Sequence, residues 1–211
     1  MPVFSGIVET TTRVRGAQNS AGILRISLDR PPGFTDLHSG DSVAVDGICL
    51  TLEDFDSVQM TFALGPETLR ITGWGPEGVL NKVVNLERSL RLQDRVHGHF
   101  VTGHVDAKGR ILNVTEEGEA LRLQIDIPGV LRDFIWPKGS VAVNGVSLTV
   151  NNVGAQSFQV GLIPETLKRT NLGALEVGDH VNLEVDNMAR GLIHWARLQE
   201  KEKTNEPESD S

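Results

Sequence analysis

The sequence predicts an all-β fold: two tandem homologous six-stranded antiparallel barrels with one α-helix at the C-terminus. Three observations carry that prediction. First, the chain repeats itself. Residues 43–52 (VAVDGICLTL) return as residues 141–150 (VAVNGVSLTV). Phe4-Ser5-Gly6-Ile7-Val8-Glu9 returns as Val101-Thr102-Gly103-His104-Val105-Asp106, Pro66-Glu67-Thr68-Leu69 as Pro164-Glu165-Thr166-Leu167, and Val84-Asn85-Leu86-Glu87 as Val181-Asn182-Leu183-Glu184. The offset stays at about 97 residues, long enough for each copy to bury its own core as a domain rather than stack as a solenoid unit. Second, each copy holds about six short β-prone segments separated by turn signals, the pattern of a small closed sheet. Third, the stretch after the second copy switches its apolar period from two to 3.6, which marks a helix.

Composition bounds the function. With 211 residues there is room for two small domains, and 39% hydrophobic with 23% charged residues are globular values. A formal net charge of −8 argues against nucleic-acid or membrane-surface binding, which need basic patches. One cysteine forms no internal disulfide, which suits a reducing compartment. The opening MPVFSGIVETTTR has no basic segment before a long apolar run, and no stretch reaches membrane-spanning length, so a cytoplasmic protein is expected.

In chain order, residues 3–12 are rich in Val, Ile and Thr and read as a strand, with a turn over residues 16–22. Residues 23–29 alternate apolar and polar as a half-buried strand, broken by Pro31-Pro32-Gly33, and residues 34–37 read as one helical turn. Residues 42–52 read as a strand bent at Gly47, the bend freeing backbone to approach a ligand just before Cys49. Residues 58–64 alternate again, Pro66 opens a short helical turn, residues 73–78 form a loop, and residues 82–89 end the first unit in a strand. The second unit follows the same plan. Strands are expected over 100–106, 110–114, 120–127, 140–150, 158–162 and 180–185, with short helices over 128–134 and 164–169. The expected division is therefore barrels over 1–96 and 97–186, a helix over 187–203 capped by Asn187, and a disordered acidic tail over 204–211. Met188, Leu192, Trp195 and Gln199, with Ile193 and Ala196, give that helix an apolar face that needs a partner, either a barrel or another subunit.

These blocks resemble the riboflavin synthase α-chain family. The Phe-Ser-Gly-Ile-Val-Glu start, the paired Gly-x-Cys/Ser-Leu-Thr segments, the paired Glu-Thr-Leu segments and residues 98–106 (GHFVTGHVD) carry the resemblance, from about Phe4 to Asp186. It implies Greek-key barrels, a homotrimer held by the C-terminal helix, and an association with lumazine synthase. It also implies a transferase reaction without metal or added cofactor, in which two 6,7-dimethyl-8-ribityllumazine molecules dismutate to riboflavin and 5-amino-6-ribitylaminouracil. Two homologous pockets for two copies of one substrate make chemical sense of the duplication, because holding them together supplies proximity.

The resemblance carries ligand contacts onto Gly6, Ile7, Val8, Ile48, Cys49, Leu50, Ala63, Leu64, Gly65, Pro66, Glu67 and Thr68. In the second unit it carries them onto Gly103, His104, Val105, Lys138, Ser147, Leu148, Thr149, Gly161, Leu162, Ile163, Pro164, Glu165 and Thr166. It sets Phe4, Ser42, Cys49, His104, Ser147 and Asp186 at or near the chemistry. Each has a plainer reading. Cys49 alone reads as a small buried hydrophobe, although its pairing with Ser147 across the repeat favours a pocket role; Glu67 and Glu165 read as helix-start carboxylates, the glycines as barrel bends, and Asp186 as a helix cap. His97, His99 and His104 lie close enough in sequence to suggest a zinc or iron site, although no fourth ligand stands at obvious spacing. A lumazine or flavin carrier of the same fold is the non-enzymatic alternative, and survival of both repeated motifs favours the enzyme. Where the two units differ, they differ in polarity: His104 aligns with Ile7, Ser147 with Cys49, and Asp186 with Ser89.

Overall fold

The computed structural model describes residues 2–205, with side chains to residue 202. Twelve strands run β1 Thr10–Ser20, β2 Ile23–Asp29, β3 Ser42–Val45, β4 Ile48–Phe55, β5 Gln59–Leu64, β6 Val83–Arg88, β7 Ala107–Glu117, β8 Ala120–Asp126, β9 Ser140–Val143, β10 Val146–Val153, β11 Ser157–Leu162 and β12 His180–Val185. The helices are α1 Pro66–Thr72, α2 Pro76–Val79, α3 Pro164–Arg169 and α4 Asn187–Asn205. All strand pairs are antiparallel, and the sheet closes twice. The first barrel has the order β1-β2-β5-β4-β3-β6, and the second has the same order with every strand number raised by six. The jump from β2 past β5 and β4 to β3 is the Greek-key step, and closure leaves neither barrel with an open edge.

Each barrel is filled by the inward residues of its alternating strands. Leu24, Ile26 and Leu28 of β2 face Met60, Phe62 and Leu64 of β5, all at most 1% exposed. Ile125 and Leu123 of β8 face Phe158 and Val160 of β11 in the same way. A third, smaller cluster of Phe4, Ala44, Val101 and Ala142, with Cys49 against it, lies between the barrels. Phe4 and Val101 form an isolated antiparallel bridge there, with Phe4 N–H donating to Val101 O at 2.8 Å and Val101 N–H to Phe4 O at 3.0 Å. Burying one phenylalanine in such a cluster contributes about 2–3 kcal/mol.

Several local expectations are corrected. Residues 42–52 are no bent strand. They form a hairpin, β3 and β4 joined by Asp46-Gly47 with φ of 47° and 77°, and Asn144-Gly145 repeats it at 46° and 79°. Two consecutive left-handed residues match the right-handed strand twist, and Asp-Gly or Asn-Gly is the pair that adopts them most readily. The turn expected over 16–22 shrinks to Ala21-Gly22, because β1 continues through a bulge at residue 15 to Ser20. Gly16 sits inside the strand, where a Cβ would fall 2.5 Å from Ser27 Oγ and turn that hydroxyl aside. Likewise Lys108-Gly109 lies within β7, Gly109 giving room to Ile125 and Leu183. Residues 34–37 form no helix; the chain turns with Phe34 N–H donating to Pro31 O at 3.0 Å. The loop over 73–78 contains the start of α2. Residues 3–9 and 100–106 are not barrel strands but extended arms, paired with each other only at Phe4 and Val101.

The barrels meet about a local two-fold axis. A Cβ on Gly47 would lie 2.6 Å from Gly145 N, and one on Gly145 2.8 Å from Gly47 N, so the two hairpin tips touch backbone to backbone. Around them lies a buried polar network. Asp46 Oδ1 accepts from Asn85 N–H and Asn171 Nδ2 at 2.8 Å each, and Asp46 Oδ2 pairs with Lys82 Nζ at 2.8 Å. Asn182 Nδ2 donates to Asp46 O and Asn85 Nδ2 to Asn144 O, both at 2.9 Å. The bonds from Asn171, Asn182 and Asn85 Nδ2 cross from one unit to the other, while Asp46 Oδ2 has the Lys82 ion pair in place of a hydrogen bond.

Helix α4 is capped by Asp186 rather than Asn187: Asp186 Oδ1 accepts from Met188 N–H at 2.9 Å. Arg190 pairs with Asp106 at 2.7 Å, and Arg197 pairs with Asp133 and stacks on Phe134. The apolar stripe faces away from these contacts, with Met188, Leu192 and Trp195 each more than 60% exposed. Of the expected tail, residues 204 and 205 continue the helix and residues 206–211 lie outside the described residues. Among the described residues no helix is long and apolar enough to cross a membrane.

Candidate functional site

Each arm crosses to the barrel of the other unit, and the barrel end that it covers is called that barrel's mouth. Residues 103–105 belong to the second unit, yet Gly103 O accepts from Cys49 N–H at 2.9 Å at the start of β4, and Val105 packs on the core of the first barrel. Residues 6–8 belong to the first unit, yet Gly6 O accepts from Ser147 N–H at 2.8 Å at the start of β10, and Val8 lies in the core of the second barrel. Gly6 and Gly103 have φ of 73° and 75°. A Cβ on either would come within 2.6 Å of Ser147 or Cys49 respectively, so both conformation and contact require glycine.

A buried carboxylate ties down each arm. Glu87 accepts from Ser5 N–H at 2.7 Å, Ser5 Oγ at 2.8 Å and Gly6 N–H at 3.0 Å. Glu184 accepts from Thr102 N–H at 2.7 Å, Thr102 Oγ1 at 2.8 Å and Gly103 N–H at 2.9 Å. Burial pushes the Glu87 carboxyl up to about 7 against the pull of these donors, with nearby Glu9 adding to the rise. Burial raises Glu184 in the same way, with Asp106 as the nearby like charge.

The side chains at the two mouths differ. At the first, burial raises the Cys49 thiol, a hydrogen bond with Ser42 opposes the rise, and the Glu184 charge adds to it. Cys49 is therefore held as a thiol rather than presented as a thiolate. His104, exposed on the arm, belongs to this mouth. At the second, Ser147 Oγ lies 2.7 Å from His99 Nδ1. Among the described residues His99 Nε2 is buried without a hydrogen-bond partner. Burial lowers the His99 pKa, and the Asp186 charge partly offsets this. An imidazole kept neutral beside a hydroxyl is able to accept its proton. Thus His104 and Asp186, which the sequence groups as the polar additions of the second unit, lie apart, His104 on the arm over the first barrel and Asp186 near His99.

The remaining expected residues sit at equivalent places in the two units. Ile48 and Leu50 are buried on β4, as Leu148 is on β10, and Thr149 is exposed. Ala63 and Leu64 end β5, Gly65 precedes α1, and Pro66, Glu67 and Thr68 form its first turn. Gly161 and Leu162 end β11, Ile163 precedes α3, and Pro164, Glu165 and Thr166 form its first turn. Glu67 is held by Arg70 and Glu165 by Arg169, both on the exposed helix faces. Ile7 stands on the second mouth's arm, 41% exposed, and Phe4 is fully buried in the junction. Lys138 is exposed with φ of 68°, a left-handed position that its counterpart Gly40 fills without a Cβ. Among the described residues no group of three or more His, Cys, Asp or Glu is placed to hold a metal ion, and His97, His99 and His104 do not converge. A cavity of about 1030 Å³ opens beside the first barrel, bounded by residues 35–43 and 87–97. Of the expected residues Ile7 and Ser42 line it.

Sequence reasoning misses the Ser147–His99 pair, because His99 lies in the connection between the units and enters only through the GHFVTGHVD block and as a candidate metal ligand. It also left Glu87 and Glu184 without a role. The signal was present in the repeated Val-Asn-Leu-Glu block and in the Ser-Gly and Thr-Gly pairs these glutamates bind.

The lumazine binding domain family matches the chain twice, over residues 5–89 and 102–186. Riboflavin synthase of Actinobacillus pleuropneumoniae is 35% identical over 208 residues, covering 99% of this chain and 95% of that protein. Riboflavin synthase of Mycobacterium tuberculosis (strain ATCC 25618 / H37Rv) is 40% identical over 194 residues, covering 89% and 95%. The chain belongs to the riboflavin synthase family. In fold it is similar to LumP, whose complex with riboflavin superposes with a TM-score of 0.79 at 23% identity, covering 87% of this chain and 100% of that one. LumP complexed with 6,7-dimethyl-8-(1'-D-ribityl) lumazine gives 0.76 at 22%, covering 87% and 99%.

Proposed function

We propose that this chain is a riboflavin synthase, dismutating two molecules of 6,7-dimethyl-8-ribityllumazine to riboflavin and 5-amino-6-ribitylaminouracil. The observation that carries the reading is the pair of equivalent mouths, within a chain similar over nearly its whole length to riboflavin synthases. The reaction consumes two copies of one molecule, and two homologous mouths bind two copies. One lumazine loses a proton from its 7-methyl group and attacks the other. A four-carbon unit then passes between them, leaving one ring system enlarged and the other stripped to the diamine, so atoms and electrons balance without an outside oxidant. The protein's contribution is to orient the rings, stabilise the anion and move protons.

In this reading the backbone groups of residues 6–8, 48–50, 103–105 and 147–149 read the pyrimidine edge. Thr68 and Thr166 offer hydroxyls. The Ser147–His99 pair, with Asp186 and Lys138, makes the second mouth the more polar. Cys49, Ser42 and His104 serve the first. Unequal surroundings are what a reaction between identical molecules needs, since one must become nucleophile and the other electrophile. The exposed stripe of α4 is assigned to a homotrimer contact, and a cytoplasmic location and association with lumazine synthase belong to the same reading. The decisive test is to incubate the purified protein with the lumazine, without added metal, and follow riboflavin absorbance. Tight binding with no turnover would make the chain a carrier instead.

A further inference from the structure

The repeated Val-Asn-Leu-Glu block ends in two buried carboxylates, Glu87 and Glu184, each with three donors, and the reading of the mouths gives them no contact with ligand. Their geometry nonetheless leads to the mouths. Glu87 stands on β6 beside Ala44, in the first barrel, and all three of its donors come from Ser5 and Gly6. The carbonyl of that same Gly6 holds Ser147 N–H on the second barrel. Glu184 stands on β12 beside Ala142, in the second barrel, and its donors come from Thr102 and Gly103, whose carbonyl holds Cys49 N–H on the first. Each chain of contacts passes through one glycine whose close approach leaves no slack.

We propose that Glu87 and Glu184 are crossed positioning residues, each fixing from its own barrel the arm that shapes the ligand mouth of the other. The proposal rests on the mouths being the lumazine sites. Its physical basis is that buried donors are costly to leave unpaired, and each of these glutamates accepts from three of them. Glutamine keeps the shape but fails the chemistry. Either orientation of its amide turns an NH₂ toward an arm N–H, so one accepting oxygen is lost and two donors face each other.

The test separates crossed from local action. Amide hydrogen exchange is followed at Ser147 and Cys49 in the full-length chain, with no ligand present. Glu87→Gln is expected to speed exchange at Ser147 about tenfold or more while Cys49 changes less than about twofold, and Glu184→Gln to do the reverse. Lumazine titration is then run in two backgrounds, Ala63→Trp to block the first mouth and Gly161→Trp to block the second. Glu87→Gln should weaken binding about tenfold in the Ala63→Trp background and little in the Gly161→Trp background, with Glu184→Gln again opposite. If a glutamine variant fails to fold, Ser5→Ala and Thr102→Ala each remove one donor and should give the same pattern at smaller size. Equal effects on both mouths, effects on the mouth of the mutated barrel, or no effect on either amide would overturn the proposal. A wild-type chain that binds no lumazine would defeat the functional reading, while the exchange pattern still decides the crossed positioning.

Discussion

Substituting Gly47 by alanine isolates the contact between the hairpin tips. Two costs are expected. Gly47 has φ of 77°, and holding a Cβ-bearing residue there costs about 1–2 kcal/mol. The new methyl would also meet Gly145 N at 2.6 Å and Gly145 Cα at 2.9 Å, backbone that cannot swing aside, and overpacking of this kind costs about 1–3 kcal/mol. The sum is about 2–5 kcal/mol of stability. Gly22 provides the control, since its φ is 81° and a Cβ there meets nothing within 4 Å, so Gly22→Ala carries only the first cost. Urea unfolding of the two variants should differ by about 1–3 kcal/mol, and in a chain of this size that is a gap of roughly 2–12 °C in melting temperature. Equal stabilities for the two variants would mean that the hairpin tips do not meet in solution, and the account of the junction would fall with that result.

Other outcomes follow from the same geometry. Because Glu87 is pushed up to about 7 from an ordinary 4.5, the folded chain binds this proton more tightly than the unfolded one. Its contribution to stability is therefore full below about pH 4.5 and is lost as pH rises through 7, a fall on the order of 3 kcal/mol, with Glu184 and Asp106 acting in the same direction. Urea midpoints at pH 5 and pH 8 should show the fall, and Glu87→Gln should flatten part of it. His104→Ala and Asp186→Ala are expected to lower turnover about a hundredfold while changing lumazine affinity less, with Asp186→Ala also losing about 1 kcal/mol of stability with its helix cap. Steady-state rates set against equilibrium fluorescence titration check this, and wild-type rates in both would leave positioning alone to carry catalysis. Truncation after Asp186 should reduce the assembly measured by light scattering, because the Met188, Leu192 and Trp195 stripe is then gone. An unchanged assembly would remove α4 from the contact.

The fold was legible because the signals were local and doubled. Alternation marked β2 and β5, Pro marked the starts of α1 and α3, and all six strands recurred in the second unit. What could not be read was anything that depended on where the two units meet. The arms over residues 3–9 and 100–106 have strand-like composition, and nothing in them announces that they leave their own barrel. Gly16 and Gly109 read as turn residues because glycine marks turns by default. Here they make room for Ser27 and for Ile125 and Leu183, neighbours on other strands that no local pattern reveals. Among site residues, those inside the repeat were legible by alignment of the halves. His99 sits in the connection between them, where there was no second copy for comparison, and its partner Ser147 lies 48 residues away.

The crossing of the arms bears on how two unlike mouths arise from one ancestor-like unit. Had the two barrels been separate identical chains, the same contacts would make an isologous pair, in which any substitution strikes both sites at once. Joined in one chain, the paired positions are written by different codons. Cys49 and Ser147 occupy the same place about the axis yet need not match, nor Ile7 and His104. Covalent linkage thereby relaxes a symmetry that the backbone still keeps, and it leaves room for one mouth to specialise in giving what the other receives.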